Sequence, residues 1–223
     1  MFQKLIALTL AAGMAFALTA CDSGSKNQTA KATQTAKTSV KATAKTTSKA
    51  VAFTGQVEPE KLEKTIGVTI ELMDGRVMKG VLYPDVAPTT VENFVKLCKD
   101  NFYAGLIFHR VIPGFMIQGG GYDVDLKEKD ASSIKGEFAS NGVENNLKHT
   151  NGVLSMARTQ VKDSASSQFF IMDGDSPHLD GEYAAFGQIT EGLEYIPQIS
   201  GVETDNQDNP IEPIVIKTIT VQE

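Results

Sequence analysis

The chain has 223 residues and a formal net charge of −6 at pH 7. Its charge is unevenly distributed: residues 22–50 hold six lysines and one aspartate, whereas residues 51–223 hold 14 basic and 26 acidic residues, a net charge of −12. An acidic C-terminal part argues against nucleic-acid binding, which needs a basic face. The roughly 170 residues of this acidic part are enough for one ordinary hydrophobic core but not for a second domain.

The first 20 residues have the pattern of a targeting segment. Lys4 precedes an apolar stretch, Leu5–Leu18, that is too short to span a bilayer comfortably. Small residues lie directly before Cys21, and this arrangement resembles a bacterial lipobox, in which cleavage occurs before a cysteine that carries lipid. The alternative is an ordinary secretory signal peptide with an incidental Cys21. With Cys21 lipidated, Cys98 has no partner for a disulfide bond.

Residues 21–53 contain mostly Thr, Ala, Lys, Ser and Gln. Such a composition cannot bury enough apolar surface to offset the entropy lost on ordering, so we expect a disordered tether. The lysines could hold it against an anionic membrane surface, or they could simply keep it soluble. We therefore predict a signal peptide over residues 1–20, a lipidated tether over 21–53 and a folded domain over 54–223, placed outside the cytoplasm.

The domain begins with two predicted strands, Ile66–Leu72 and Val77–Tyr83, around the turn signal Asp74-Gly75. A helix opens at Pro88-Thr89-Thr90, where Thr89 and Glu92 have the spacing of a capping box. Its apolar face includes Cys98 as a small buried hydrophobe. Further strands are predicted over residues 106–111, 115–118, 152–157, 168–172, 185–188 and 214–221.

Three other segments carry expectations. Gly119-Gly120-Gly121 is interpreted as a bend, and Asp123–Lys148 as a long polar loop of freely variable length. A second short helix should run through residues 192–196, and Pro197 should end or kink it. Many short strands with two helices favour a barrel whose ends are covered.

The run Phe108–Gly120 places one arginine, Arg110, and one amide, Gln118, among large apolar residues bent at Pro113-Gly114. An unpaired buried charge is very costly, so this arginine must be paired or functional. Taken alone, it would be interpreted as a surface residue whose aliphatic stem lies on apolar neighbours, and the aromatic residues nearby would be interpreted as core.

Three further blocks repeat polar groups among aromatic residues: Ser155–Arg158 with Ser167–Ile171, then His178–Gly181, then Phe186-Gly187. In this order and spacing the four blocks resemble the cyclophilin family of peptidyl-prolyl isomerases, over about Thr65 to Glu223. The resemblance implies a mainly β fold, a closed eight-stranded antiparallel β-barrel capped by two α-helices. It also implies an isomerase that needs no cofactor.

The resemblance further implies the site. Arg110 would donate to the twisted prolyl amide, Gln118 would help to hold Arg110, and substrate backbone would pair with the main chain at Arg158. The remaining positions would form the proline pocket and its surroundings: Phe115, Met116, Phe170 and Leu179 in the pocket, and Ala157, Thr159, Gln168, His178 and Tyr183 around it.

Several positions depart from common family patterns. Arg158 stands where the commoner eukaryotic pattern has asparagine, Tyr183 where many members have histidine, and His178 where many eukaryotic members have tryptophan. Phe115 and Met116 would point to opposite faces of a regular strand, so their shared role predicts a local bulge or a strong twist there.

Other kinds of site lack support. His109, His149 and His178 do not have metal-ligand spacing, so we expect no metal. The sequence has no evident Ser-His-Asp pattern, phosphate loop or dinucleotide-binding glycine motif.

Three functions remain at this point. The first is an extracytoplasmic isomerase that helps secreted or envelope proteins to fold, and the second is a proline-peptide binding module or holdase with little turnover. The third is a solute-binding lipoprotein, for which the chain is short and lacks a two-lobed α/β pattern. The expected partners are proline-containing polypeptides and a membrane, reached through the lipid on Cys21. We expect a monomer that binds no nucleic acid.

Overall fold

Eight antiparallel strands curl into a half-barrel in the computed structural model, which describes residues 64–222. The predicted signal peptide and tether, with Cys21, lie outside the described residues, as do residues 54–63 and 223. The elements in chain order are β1 (Ile66–Leu72), β2 (Val77–Leu82), α1 (Pro88–Lys99), β3 (Leu106–Ile112), β4 (Met116–Asp123), β5 (Val153–Met156), β6 (Phe169–Met172), β7 (Ala185–Glu191), α2 (Tyr195–Ser200) and β8 (Ile216–Gln222).

The strands are ordered β3-β4-β6-β5-β7-β2-β1-β8 in one sheet. Its two edge strands approach each other at the isolated bridge between Ile107 and Val215, where Phe108 N–H also donates to Ile214 O at 3.0 Å. These few contacts form an isolated bridge and not a continuous ladder. The eight antiparallel strands expected from the resemblance are therefore present, but the expected closed barrel is not confirmed.

The helix α1 buries its apolar face against the sheet, with Phe94 fully buried in the main core. Cys98 is buried as expected, and burial raises the pKa of its thiol to about 12. The main core centres on aromatic rings in edge or tilted contact, those of Phe94, Tyr103, Phe169 and Phe186. These contacts fix α1 on the sheet.

The predicted capping box at α1 is wrong. The N-cap residue is Ala87, without a side-chain cap, and Thr89 already lies in the first turn. The carboxylate of Glu137 instead accepts hydrogen bonds from the N–H groups of Thr89 at 3.0 Å and Thr90 at 2.8 Å, and from the Thr90 hydroxyl at 2.7 Å. A carboxylate far away in sequence thus satisfies the free donors of the first turn.

Residues 123–148 are more constrained than expected. They include a 3₁₀ helix, Ala139–Asn141, and the buried Phe138 and Leu147. Asn145 Nδ2 donates to Glu137 O and Ala185 O at 2.9 and 2.8 Å. The segment is attached to the core and cannot vary freely in length there.

The second helix begins at Tyr195, later than predicted, and contains Pro197 in its first turn. Proline is tolerated there because first-turn N–H groups have no acceptor within the helix. The predicted break is therefore wrong. Within residues 64–222, no helix is both long and apolar enough to cross a membrane.

Candidate active site

A tight turn joins β3 to β4 and introduces the site. Phe115 N–H donates to Ile112 O at 3.1 Å, with Pro113 and Gly114 between them and a φ of +70° at Gly114. A proline at the second position of a turn and a glycine with positive φ at the third position are typical of a type II turn. Gly114 N–H also donates to Asp173 Oδ2 at 2.9 Å, which attaches the turn to the end of β6.

This turn explains how Phe115 and Met116 reach the same cavity. Phe115 belongs to the turn and Met116 is the first residue of β4, so strand alternation does not apply to the pair. The pairing from Ile112–Met116 to Arg110–Gln118 is regular, so the predicted bulge is absent there. The register irregularities of this hairpin lie further along, between Leu106 and Arg110 on β3 and the opposing residues 118–123 on β4.

Nine of the predicted site residues line one cavity of about 140 Å³. Its floor is apolar, since Met116, Phe170 and Leu179 are at least nine-tenths buried. Antiparallel pairing explains the convergence, because Gln118 on β4 lies opposite Arg110 on one side and Phe170 on the other. The lining residues are Arg110, Phe115, Met116, Gln118, Ala157, Arg158, Phe170, Leu179 and Tyr183.

Arg110 stands at the rim of this cavity with 42% of its side chain exposed. Its Nε lies 3.4 Å from Asp208 Oδ2, and Asp208 O accepts a hydrogen bond from Val111 N–H at 2.9 Å. The resemblance led us to expect Gln118 as the holding group, but Gln118 Nε2 donates to Gln168 Oε1 at 2.9 Å. Asp208 was missed because it lies in a polar loop almost 100 residues later, and no local sequence signal identifies it.

The side chain of Arg158 is used within the protein. Its Nη2 and Nε donate to Glu182 O at 2.9 and 3.1 Å, and Nη1 donates to Thr159 O at 2.9 Å. The guanidinium also lies over the rings of Tyr183 and Phe138, with 4.6 and 5.0 Å to the ring centroids. This arginine therefore acts as a brace of the cavity wall, which leaves Arg110 as the more exposed guanidinium.

A second cavity of about 190 Å³ adjoins the first and shares Gln118, Ala157 and Arg158 with it. The remaining predicted neighbours, Thr159 and Gln168, line this second cavity. Gly121 leaves space for Gln168, because a Cβ there would lie 2.5 Å from Gln168 Cγ. The glycine triplet is part of β4, where Gly120 has a φ of +83° and the strand register shifts, so the bend predicted there takes the form of an irregularity within the strand.

His178 lies beside the first cavity rather than in its lining. It follows Pro177 in the 3₁₀ helix Pro177–Leu179, and its ring stacks on Phe115 with 5.9 Å between ring centroids. All twelve predicted positions are therefore close together or adjacent, whereas their individual roles stay predictions.

The chemistry available here is that of an apolar pocket beside a permanent positive charge. Arginine stays protonated at any working pH and presents several donors. Among residues 64–222 there is no group of three or more His, Cys, Asp or Glu side chains that could hold a metal ion. The pocket can hold a small apolar ring and direct hydrogen-bond donors at a neighbouring polar bond.

Comparison with known proteins identifies relatives. The family described as cyclophilin type peptidyl-prolyl cis-trans isomerase/CLD matches residues 67–221. Peptidyl-prolyl cis-trans isomerase B of Escherichia coli (strain K12) is 42% identical over 153 residues, which is 63% of this chain and 91% of that protein. The isomerase B of Bacillus subtilis (strain 168) is 44% identical over 129 residues, 58% of this chain and 87% of that protein.

Solved structures agree with this. A Cryptosporidium parvum cyclophilin type peptidyl-prolyl cis-trans isomerase is similar with a TM-score of 0.60 and 30% identity, covering 72% of this chain and 99% of that one. A structure of the same enzyme in the presence of the dipeptide Ala-Pro gives a TM-score of 0.57 at 30% identity, covering 70% and 99%.

Proposed function

The chain belongs to the cyclophilin family of peptidyl-prolyl cis-trans isomerases, and we propose that it isomerises prolyl bonds of secreted or envelope proteins outside the cytoplasm. The observation that carries the catalytic part is the position of Arg110, a half-exposed cation at the rim of an apolar pocket of about 140 Å³. The targeting pattern before Cys21 supports the location.

The mechanism requires neither a nucleophile nor a proton shuttle. Resonance gives the prolyl C–N bond its double-bond character and a barrier of about 18–20 kcal/mol. The floor of the pocket, formed by Met116, Phe170 and Leu179, holds the proline ring while the amide rotates. Rotation localises the lone pair on the nitrogen, and the Arg110 guanidinium donates to the twisted amide. The interaction accelerates the reaction because it is stronger in the twisted state than in the planar one.

Several observations support polypeptide substrates. The pocket is open at Arg110, and the second cavity continues from it along Gln118 to Thr159 and Gln168. The related Cryptosporidium enzyme was crystallised in the presence of Ala-Pro, a proline-containing dipeptide. A groove of two adjoining cavities suits a chain that continues beyond proline.

The test is a protease-coupled prolyl-peptide assay on residues 51–223. A charge-assisted hydrogen bond contributes about 1.5–3 kcal/mol, so Arg110→Ala should lower kcat/KM about 10- to 150-fold. Arg76→Ala, in the hairpin between β1 and β2, is the matched control and should retain wild-type turnover. Unchanged turnover in a folded Arg110→Ala protein would contradict the mechanism. Peptide binding without turnover in the wild type would favour the binding module or holdase instead.

The anchor is proposed from the residues before the domain. We expect cleavage before Cys21 and lipid on its side chain, so that wild-type protein partitions into the detergent phase of a cell extract. Cys21→Ser should move the protein to the aqueous phase or leave an unprocessed precursor, with Cys98→Ser as the control that stays in the detergent phase. Wild type recovered entirely from the medium, without lipid on Cys21, would exclude the anchor.

A further inference from the structure

Two buried polar side chains, His149 and Ser155, and the partly exposed carboxylate of Asp180 meet behind the pocket and take no part in the mechanism above. His149 Nδ1 lies 3.1 Å from Asp180 Oδ1, and His149 Nε2 lies 2.9 Å from Ser155 Oγ. The residue His149 is 1% exposed and Ser155 is fully buried. The sequence search for a Ser-His-Asp pattern missed this chain of contacts, because its members come from a loop, β5 and the end of a 3₁₀ helix.

The arrangement has the connectivity of an activated serine nucleophile, but it cannot act as one. A nucleophile must reach its substrate, but Ser155 is fully buried on β5, the strand that lies between β6 and β7. The three side chains must therefore serve something other than bond cleavage.

The proton positions follow from the partners. Burial lowers the pKa of His149 and outweighs the opposing effect of Asp180, so the ring is neutral at pH 7. A carboxylate only accepts, so Nδ1 carries the proton and donates to Asp180, while Nε2 accepts from the Ser155 hydroxyl. The main-chain N–H of His149 also donates to Asp180 Oδ1 at 2.9 Å. Both ring nitrogens are occupied and the ring has one orientation.

This fixed ring connects two walls of the proline pocket. It stacks on Phe170 with 6.0 Å between ring centroids and 21° between ring planes, and Ser155 is the cross-strand neighbour of Phe170. On the other side, Asp180 directly follows Leu179, and His149 O accepts from Ser176 N–H at 2.8 Å at the start of the same 3₁₀ helix. Phe170 and Leu179 are thus both held by His149.

We propose that His149 is a positioning residue that fixes the spacing between Phe170 and Leu179 and so sets the preference of the site for a five-membered proline ring. This rests on the proposed function, which places proline in that pocket. The hydrogen bonds to Asp180 and Ser155 hold the imidazole, and the imidazole holds the aromatic wall.

The experiment compares two peptides that differ only in ring size, one with proline and one with pipecolic acid, whose ring has one more carbon. His149→Phe keeps a ring against Phe170 but removes both hydrogen bonds. A displacement of about 1 Å can cost about 100-fold in rate, so we expect a smaller shift to lower kcat/KM for the proline peptide roughly 10-fold. The kcat/KM for the pipecolic peptide should fall less than about threefold, so the preference of the enzyme for proline over pipecolic acid becomes smaller.

Ser155→Ala is the second variant, since it removes one hydrogen bond to His149 and leaves the imidazole ring. It should also lower the ratio of kcat/KM for the proline peptide to kcat/KM for the pipecolic peptide. The matched control is Thr90→Val, which removes a similarly buried hydroxyl hydrogen bond, to Glu137, away from the pocket. It should lower stability and leave the ratio unchanged, because a loss of stability alone acts equally on both peptides.

The proposal would be overturned if this ratio were unchanged in folded His149→Phe and Ser155→Ala proteins. It would also be overturned if Thr90→Val lowered the ratio as much as they do. Equilibrium binding of the same two peptides gives the discrimination without turnover. An inactive wild type would therefore contradict the proposed function alone, and the role of His149 would still be decided by the two binding constants.

Discussion

Arg110 and Asp208 form an ion pair at the rim of the pocket, with both side chains nearly half exposed. Exposed pairs contribute little stability, about 0.2–1 kcal/mol, so we predict that Asp208 serves to orient the guanidinium. Asp208 has a φ of +63°, a left-handed conformation that asparagine and glycine adopt readily. Both residues can therefore replace it without backbone strain.

Two substitutions of Asp208 distinguish the effect of its contact with Arg110 from the effect of its negative charge. Asp208→Asn keeps an oxygen that can accept from Nε and should lower kcat/KM less than about threefold, whereas Asp208→Gly removes the contact and should lower it roughly 10-fold, or about 1.4 kcal/mol. Steady-state kinetics with one proline peptide checks this, together with unfolding midpoints to confirm equal folding. A larger loss in the asparagine variant would mean that charge, not orientation, matters.

At the level of elements, α1 depends on a carboxylate outside its own sequence. Glu137 is 5% exposed and accepts three hydrogen bonds from Thr89 and Thr90. A lost cap costs about 0.5–2 kcal/mol, and the stranded buried donors add to it, about 1–3 kcal/mol. The loop that carries Glu137 therefore stabilises the helix as well as covering the core.

Glu137→Ala should accordingly lower the free energy of unfolding by about 2–3 kcal/mol. Glu92→Ala removes the exposed carboxylate that the sequence suggested as a capping partner, and it should cost less than about 0.5 kcal/mol. Urea denaturation of the two variants beside wild type measures the difference. Equal losses would show that Glu137 does not cap α1.

At the scale of the whole molecule, His109 and His149 make the free energy of unfolding depend on pH. Burial lowers the pKa of His109 from 6.5 to about 4, while His149 shifts in the same direction for the same first cause. As the pH falls below 6.5, His109 therefore becomes protonated in the unfolded chain but stays neutral in the folded protein until the pH approaches 4. Stability from His109 is complete above pH 6.5, is lost as the pH falls towards 4, and changes no further below that value.

The shift at His109 corresponds to about 3 kcal/mol. His109→Gln should lose about 2–3 kcal/mol less stability than wild type between pH 7.5 and pH 4, as measured by denaturant unfolding at each pH. Because His149 and the carboxylates still titrate, some acid sensitivity should remain in the variant. Parallel stability curves for the two proteins would refute the role of His109.

Local signals in the sequence were sufficient for most of the sheet. The bounds of β1 are those predicted, and the other strands differ by a few residues at their ends. Alternation, turn residues such as Asp74-Gly75 and the proline that begins α1 act over a few neighbouring positions, so they can be recognised without a structure. The same four sequence blocks carried the resemblance to the family.

The tertiary structure alone decided which distant groups meet. Glu137 lies 47 residues from Thr90, Asp208 lies beside Arg110, and Ser155, His149 and Asp180 come from three elements. These contacts depend on how the strands are ordered in space and on what is buried between them, and neither is encoded in a local pattern. The sequence thus determined the strands, the family and a set of candidate residues that the fold brings together, while the packing of the folded chain determined which partners hold them, because hydrogen bonds form between neighbours in space and not in sequence.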